Sequence, residues 1–189
     1  GGDVSAVGYR LVYKDPIRNE VGDRSVFALY RVLVDPDETF EELLGQNSLM
    51  SSGGNGGPFA QFMAEADNIS NFVCENIYSL SVGFTVAYSE TQGGAVVTKH
   101  RRFSIIDTSG SSVAEEFRIR GSGISILPEP RDAEVIAGGS VVNVDIAITV
   151  VTDSGMATIR QGRLQGDALD EFIHKNSYRF AKAVTLPQG

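Results

Sequence analysis

The cysteine and the two histidines of this 189-residue chain, Cys74, His100 and His174, are the residue types best suited to act as a nucleophile or a base near neutral pH. A zinc site needs three or four converging His, Cys or acidic ligands, and a nucleophilic cysteine needs a base beside it. The sequence names no such partners, and no G-x-S-x-G segment marks a serine nucleophile. We therefore expect no catalytic residue and no metal centre, and we interpret Cys74 as a half-buried, small apolar residue.

Asp35, Asp37 and Glu38 place three carboxylates within four positions. Carboxylate oxygens are ligands that suit calcium, so a calcium site is one interpretation. The other is a helix start, in which Asp35 caps the first turn and Pro36 takes the first helical position. We favour the helix start.

Two further segments have a binding interpretation and a structural one. Residues 51–58, SSGGNGGP, have the glycine content of a phosphate loop but lack its Lys-Ser/Thr, so we expect a flexible surface loop and no bound cofactor. Residues 99–102, KHRR, are either a docking patch for an acidic partner or charges that protect a strand edge from aggregation. The net charge of −8 disfavours nucleic acid and anionic membrane surfaces as partners.

The elements that must position these residues are dominated by one long strand. Between residues 78 and 89, six large side chains alternate with small or polar ones: Tyr78, Leu80, Val82, Phe84, Val86 and Tyr88. Because successive side chains of a strand face opposite sides, this period of two predicts a strand buried on one face. Such strands are typical of antiparallel sheets.

Similar patterns predict the other elements. Strands are expected at residues 9–13, 26–34 (buried on both faces), 95–106, 116–120, 142–150 and 178–186. Helices are expected after Asp35, with an apolar stripe of Phe40, Leu43 and Leu44, and at 59–63 and 167–176. Residues 92–94 and 153–155 read as turns and 128–139 as a connector. We predict one α+β domain over residues 3–187, made mostly of antiparallel β-sheet with a few short helices.

The ends and the cysteine content restrict the setting of the protein. No run of about 18 apolar residues could cross a bilayer. The chain opens with Gly1-Gly2-Asp3 and no methionine, so we expect a further N-terminal segment, such as a membrane anchor, in the natural protein. One cysteine excludes an internal disulfide and is compatible with the cytoplasm or the periplasm.

Four segments resemble one family in the same order along the chain. Residues 178–187, YRFAKAVTLP, resemble the closing strand of type IV pilin-like proteins, in particular the J-type minor pseudopilins of type II secretion and related proteins with a prepilin leader. Residues 7–9 with 27–31, residues 75–84 and residues 142–150 resemble three earlier strands of that family.

The resemblance implies a pseudopilin-like head domain and a non-enzymatic role in assembly. By resemblance, an N-terminal helix absent from this sequence would hold the head in the periplasm at the bacterial inner membrane, and its partners would be other minor pseudopilins or pilin-like subunits. The alternative function is a β-rich ligand-binding module or a small hydrolase with a scattered site. That alternative predicts a pocket in which His100 or His174 lies beside a carboxylate.

Overall fold

The computed structural model describes residues 5–46, 49, 57–107, 116–120, 123–127 and 134–187. Its strands are β1 Val7–Lys14, β2 Val26–Leu33, β3 Phe72–Glu75, β4 Ile77–Gln92, β5 Ala95–Asp107, β6 Glu116–Arg120, β7 Gly123–Leu127, β8 Glu134–Ala137, β9 Ser140–Val151 and β10 Ser177–Thr185. Its helices are α1 Pro36–Glu38, α2 Ala60–Met63, α3 Asp153–Ile159 and α4 Asp167–Lys175, with a π-helical segment Thr39–Leu43 and a 3-10 turn Ile69–Asn71.

The strands form three sheets with the orders β1-β2-β3, β10-β9-β4-β5 and β6-β7-β8. The pairs β1–β2, β2–β3, β4–β5, β6–β7 and β7–β8 are antiparallel. The expected α+β class, with mostly antiparallel sheet and a few short helices, is therefore confirmed.

The chain divides into two compact units. The first unit comprises residues 1–78 and 149–179, and the second comprises residues 79–148 and 180–189. The single domain expected over residues 3–187 stays a prediction.

The core of the first unit is built on β2. The predicted burial on both faces is confirmed for residues 26–30 but is wrong at Leu33, which is 61% exposed. The buried members of this core are Val26, Ala28, Tyr30, Val151, Met156, Ile159 and Ile173. Helices α3 and α4 therefore each supply buried side chains to the same core as β2. Burying one such side chain contributes about 1.5–3 kcal/mol relative to exposing it.

The second unit has its own smaller core, which consists of Val86, Phe103, Ile124 and Ile136. Strands β4 and β5 form a long hairpin, as predicted, with Gln92 opposite Ala95. Both residues of its turn, Gly93 and Gly94, have positive φ angles of 61° and 87°. Such a turn matches the twist of the flanking strands and needs residues that tolerate the left-handed region.

Burial along β4 differs from the expected one-face pattern. Of the six predicted residues, Leu80 and Val86 are buried, whereas the other four are half-buried. Ile77 and Gly83, which have the opposite parity, are buried as well. The pairing with β5 shifts register between Val82 and Gly83. Side chains of both parities are buried or half-buried from Ile77 to Tyr88, so both faces of this part of the strand are covered rather than one.

The segment after β2 has the predicted cap but not the predicted stripe. The Asp35 carboxylate accepts a hydrogen bond of 2.9 Å from the Asp37 amide, which confirms the helix start. Leu43 is buried, but Phe40 and Leu44 are exposed, so the expected stripe is wrong for those two residues. The Leu44 amide donates to the carbonyl of Thr39, five residues back. This π-helical bond widens the turn and rotates Phe40 and Leu44 away from the core.

Two predictions about irregular segments are also wrong. The expected turn at 153–155 is the start of α3, where the Thr152 hydroxyl caps the helix by accepting a 3.1 Å bond from the Gly155 amide. The expected connector at 128–139 contains β8, which pairs with β7. The predicted helices at 59–63 and 167–176 are confirmed as α2 and α4. Most of the glycine-rich loop, residues 51–56, lies outside the described residues.

Candidate functional site

The three residues with nucleophile or base chemistry lie on three different elements of the fold. His100 is exposed on β5 in the second unit, and His174 is exposed in the last turn of α4 in the first unit. Cys74 is half-buried on β3, as expected, and burial raises the pKa of its thiol. Across the described ranges, no three His, Cys, Asp or Glu side chains converge to hold a metal ion.

The basic segment 99–102 forms contacts within the second unit. Lys99 forms an ion pair with Glu90, and the Arg102 Nε lies 3.3 Å from the Asp145 carboxylate. The Arg101 guanidinium lies 4.8 Å above the ring of Phe103. Among the described residues β5 is an outer strand of its sheet, where charged side chains disfavour edge-to-edge aggregation. Whether the segment also docks an acidic partner stays a prediction.

A buried lysine forms a polar cluster that the sequence patterns did not reveal. Lys14, at the end of β1, is 4% exposed. Its Nζ donates to the Asp67 carboxylate at 2.7 Å, to the Asp67 carbonyl at 3.0 Å and to the Asn19 side chain. The hydrogen bond from Lys14 lowers the pKa of Asp67. Residues 14 and 67 are far apart in sequence, and no local pattern could have paired them.

The same cluster includes an aromatic ring below the lysine. The Nζ of Lys14 lies 5.2 Å from the centre of the Tyr30 ring, within range of a cation–π interaction. The Tyr30 hydroxyl is buried and has no hydrogen-bond partner among the described residues. The cluster therefore ties the loop after β1 to the segment before β3, and both stretches also contribute residues to a cavity.

That cavity, of about 660 Å³, lies in the first unit. The apolar side chains of its walls come from the start of β2, from the 3-10 turn and from β3. The charged side chains come from the loop before β2, from β3 and from the end of α3. The residues that matter most are Val26, Ile69, Phe72, Arg24, Glu75 and Arg160. Neither histidine lines this cavity, so the expected pocket of the hydrolase alternative is absent from it.

A second feature of the first unit is an exposed apolar patch on the β1–β2 sheet. Val7 pairs directly with Leu33, and Tyr9 follows two residues after Val7, so the three side chains share one face. Their exposures are 45% for Val7, 47% for Tyr9 and 61% for Leu33. We call these three residues the β1–β2 patch. Contiguous exposed apolar side chains of this kind mark interaction surfaces more often than isolated ones do.

Comparison with protein-family models, with curated proteins and with solved structures finds no match. No helix within the part of the chain that the structure describes has the length and apolar character needed to cross a membrane.

Proposed function

We propose that this chain is a non-enzymatic structural subunit: the head of a minor pseudopilin-like protein that binds sister subunits of a type II secretion or type IV pilus-like apparatus. The observation that carries the proposal is the β1–β2 patch of Val7, Tyr9 and Leu33. The antiparallel sheets and the ordered resemblance of four segments to that family also support it.

The chemistry of the β1–β2 patch suits a docking surface. Tyrosine is enriched among residues that dominate binding, because its ring buries a large area and its hydroxyl can still meet a polar partner. Among the described residues β1 is an outer strand of its sheet, and an outer strand can pair with an added partner strand. A typical specific interface buries about 800 Å² on each partner, which would extend well beyond these three side chains.

The proposed location is the periplasm, with attachment to the bacterial inner membrane through a segment outside this sequence. The open reading frame upstream of Asp3 tests this directly. A leader followed by about 20 apolar residues, enough to span a bilayer, would support the proposal. A natural start codon at this point, with no such segment, would contradict it.

Binding to candidate sister heads tests the role itself. Titration calorimetry of the chain with each head should give measurable binding to at least one of them. We expect Tyr9→Ser and Leu33→Ser to weaken that binding about tenfold or more, since an anchor residue contributes about 2 kcal/mol. Val21→Ser is the matched control, because Val21 is also an apolar, exposed residue, 74% exposed, but lies in the loop before β2. No binding to any head, or equal losses for all three variants, would contradict the proposal.

A further inference from the structure

We propose that the cavity of the first unit binds a carboxylate carried on an apolar group, as in the C-terminal residue of a peptide or a free N-acylated amino acid. The inference does not depend on the assembly role proposed above. It starts from the cavity volume of about 660 Å³, which lies within the range of about 300–1,000 Å³ typical of sites for small ligands.

The apolar wall of the cavity is held by packing. Val26 belongs to the buried core, and Phe72 packs against that core. The Phe72 ring meets Tyr30 edge to face, with 5.9 Å between ring centres. Ile69 adds an exposed apolar side chain at the same cavity. An aromatic or branched aliphatic group of a ligand could pack against these side chains there.

Two arginines, Arg24 and Arg160, line the cavity. The Arg160 Nε donates to the Ser25 carbonyl at 2.9 Å, which fixes the side chain. Within the described residues, no hydrogen bond or ion pair holds the Nη groups of Arg160 or the guanidinium of Arg24, although the charge of Arg24 acts on Asp15, which lines the same cavity. A guanidinium binds a carboxylate through two parallel hydrogen bonds, and such pairs are stronger than neutral ones.

The two carboxylates of the cavity differ in their availability. The Asp15 side chain already accepts hydrogen bonds from the amides of Ile17 and Arg18, and the Ile17 bond is the main cause of its lowered pKa. Glu75 has no hydrogen-bond or ion-pair partner in the described part of the chain. The Glu75 carboxylate can accept a hydrogen bond from the N–H of an acylated amino acid, and it would repel a second carboxylate on the ligand. The site therefore selects a monoacid that has an amide N–H.

Calorimetry with a matched pair of probes tests this inference. N-acetyl-phenylalanine should bind about tenfold or more tightly than its amide, N-acetyl-phenylalaninamide, because only the acid can pair with a guanidinium. Arg24→Gln should lower the affinity for the acid more than the affinity for the amide, so that most of this preference is lost. Arg18→Gln is the control, because Arg18 lies in the same loop but does not line this cavity.

A short peptide that ends in Phe with a free carboxylate distinguishes the two ligand sources. Tighter binding of the peptide than of the free acid would identify a peptide terminus as the ligand, whereas equal binding would identify the acylated amino acid, and both outcomes support the site. Cys74 gives an independent measurement, since this only thiol lines the cavity and bound ligand should slow its alkylation. Equal affinity for acid and amide, or no protection of Cys74 at a saturating concentration, would overturn the inference.

Discussion

Lys14 shows how one buried charge depends on a distant partner. Three acceptor groups satisfy its Nζ, and two of them belong to Asp67. Asp67→Asn removes the negative charge and leaves a buried cation without its counter-charge. We expect a loss of about 2 kcal/mol in the free energy of unfolding at neutral pH, because Asp67 is partly exposed and the full cost of breaking a buried pair is reduced by solvent. Urea unfolding measures this loss.

The pH dependence of that loss has a definite direction. The pKa of Asp67 is lower in the folded protein than in the unfolded chain. The stabilisation is therefore complete above the ordinary value of about 3.9 and declines as the pH falls below it. The difference between the parent protein and Asp67→Asn should shrink correspondingly in acid. Asp23→Asn, at an exposed position, is the control, and a difference that persists unchanged in acid would contradict the expectation.

Tyr78 gives a second prediction about the pH dependence of stability, at alkaline pH. Its hydroxyl donates a 2.7 Å hydrogen bond to the Asp170 carboxylate, which is the main reason that its pKa rises from 10.0 to about 12. A raised pKa means that this stabilisation is complete below pH 10.0 and is lost as the pH rises towards about 12. Tyr78→Phe should cost about 1 kcal/mol below that range and less within it.

The ultraviolet titration of tyrosinate isolates this group. The step with the highest pKa should disappear in Tyr78→Phe, and it should move towards 10.0 in Asp170→Asn, because the carboxylate that opposes ionisation is gone. If the step keeps its position in Asp170→Asn, the hydrogen bond is not its cause.

The π-helical segment Thr39–Leu43 leaves two adjacent leucines with different exposure to solvent. Leu43 is 3% exposed and Leu44 is 55% exposed, although an α-helical stripe would bury both. Leu43→Ala should lower the free energy of unfolding by about 2–4 kcal/mol, since it opens a cavity. Leu44→Ala should change it by about 0.5 kcal/mol or less. Chemical denaturation of the two variants measures both losses. Losses of similar size would contradict the π-helical arrangement and favour an α-helix in which both leucines are buried.

The same segment illustrates what a sequence can and cannot predict. The β4–β5 hairpin and α4 were predictable because their signals are local. The hairpin has alternating apolar residues and two glycines in its turn, and α4 has apolar residues spaced three and four apart. The π-helical segment was not predictable, because it depends on a hydrogen bond between residues five apart instead of four. Strand β8 was not predictable, because it depends on pairing with β7. The Lys14–Asp67 bond and the cavity depend on contacts across dozens of residues, for which the sequence has no periodic signal.

At the scale of the whole molecule, net charge and exposed apolar surface have opposite effects on association between copies of the chain. The chain carries a net charge of −8, so two copies repel one another in dilute salt. The screening length falls from about 30 Å at about 0.01 M ionic strength to about 3 Å at about 1 M. An apolar surface is not weakened by this screening. Copies of the chain should therefore meet more readily through the β1–β2 patch as salt is added.

Sedimentation velocity at these two ionic strengths tests that balance. We expect monomers at low salt and a measurable population of associated copies at high salt. Leu33→Ser should suppress the association, since Leu33 is the most exposed residue of the β1–β2 patch, while Val21→Ser should leave it unchanged. Charge-driven self-assembly would show the reverse dependence on salt, because screening weakens attraction between opposite charges as well. Association that is strongest at low salt, or that survives Leu33→Ser, would remove the β1–β2 patch as the cause and with it the main support for an assembly surface on this sheet.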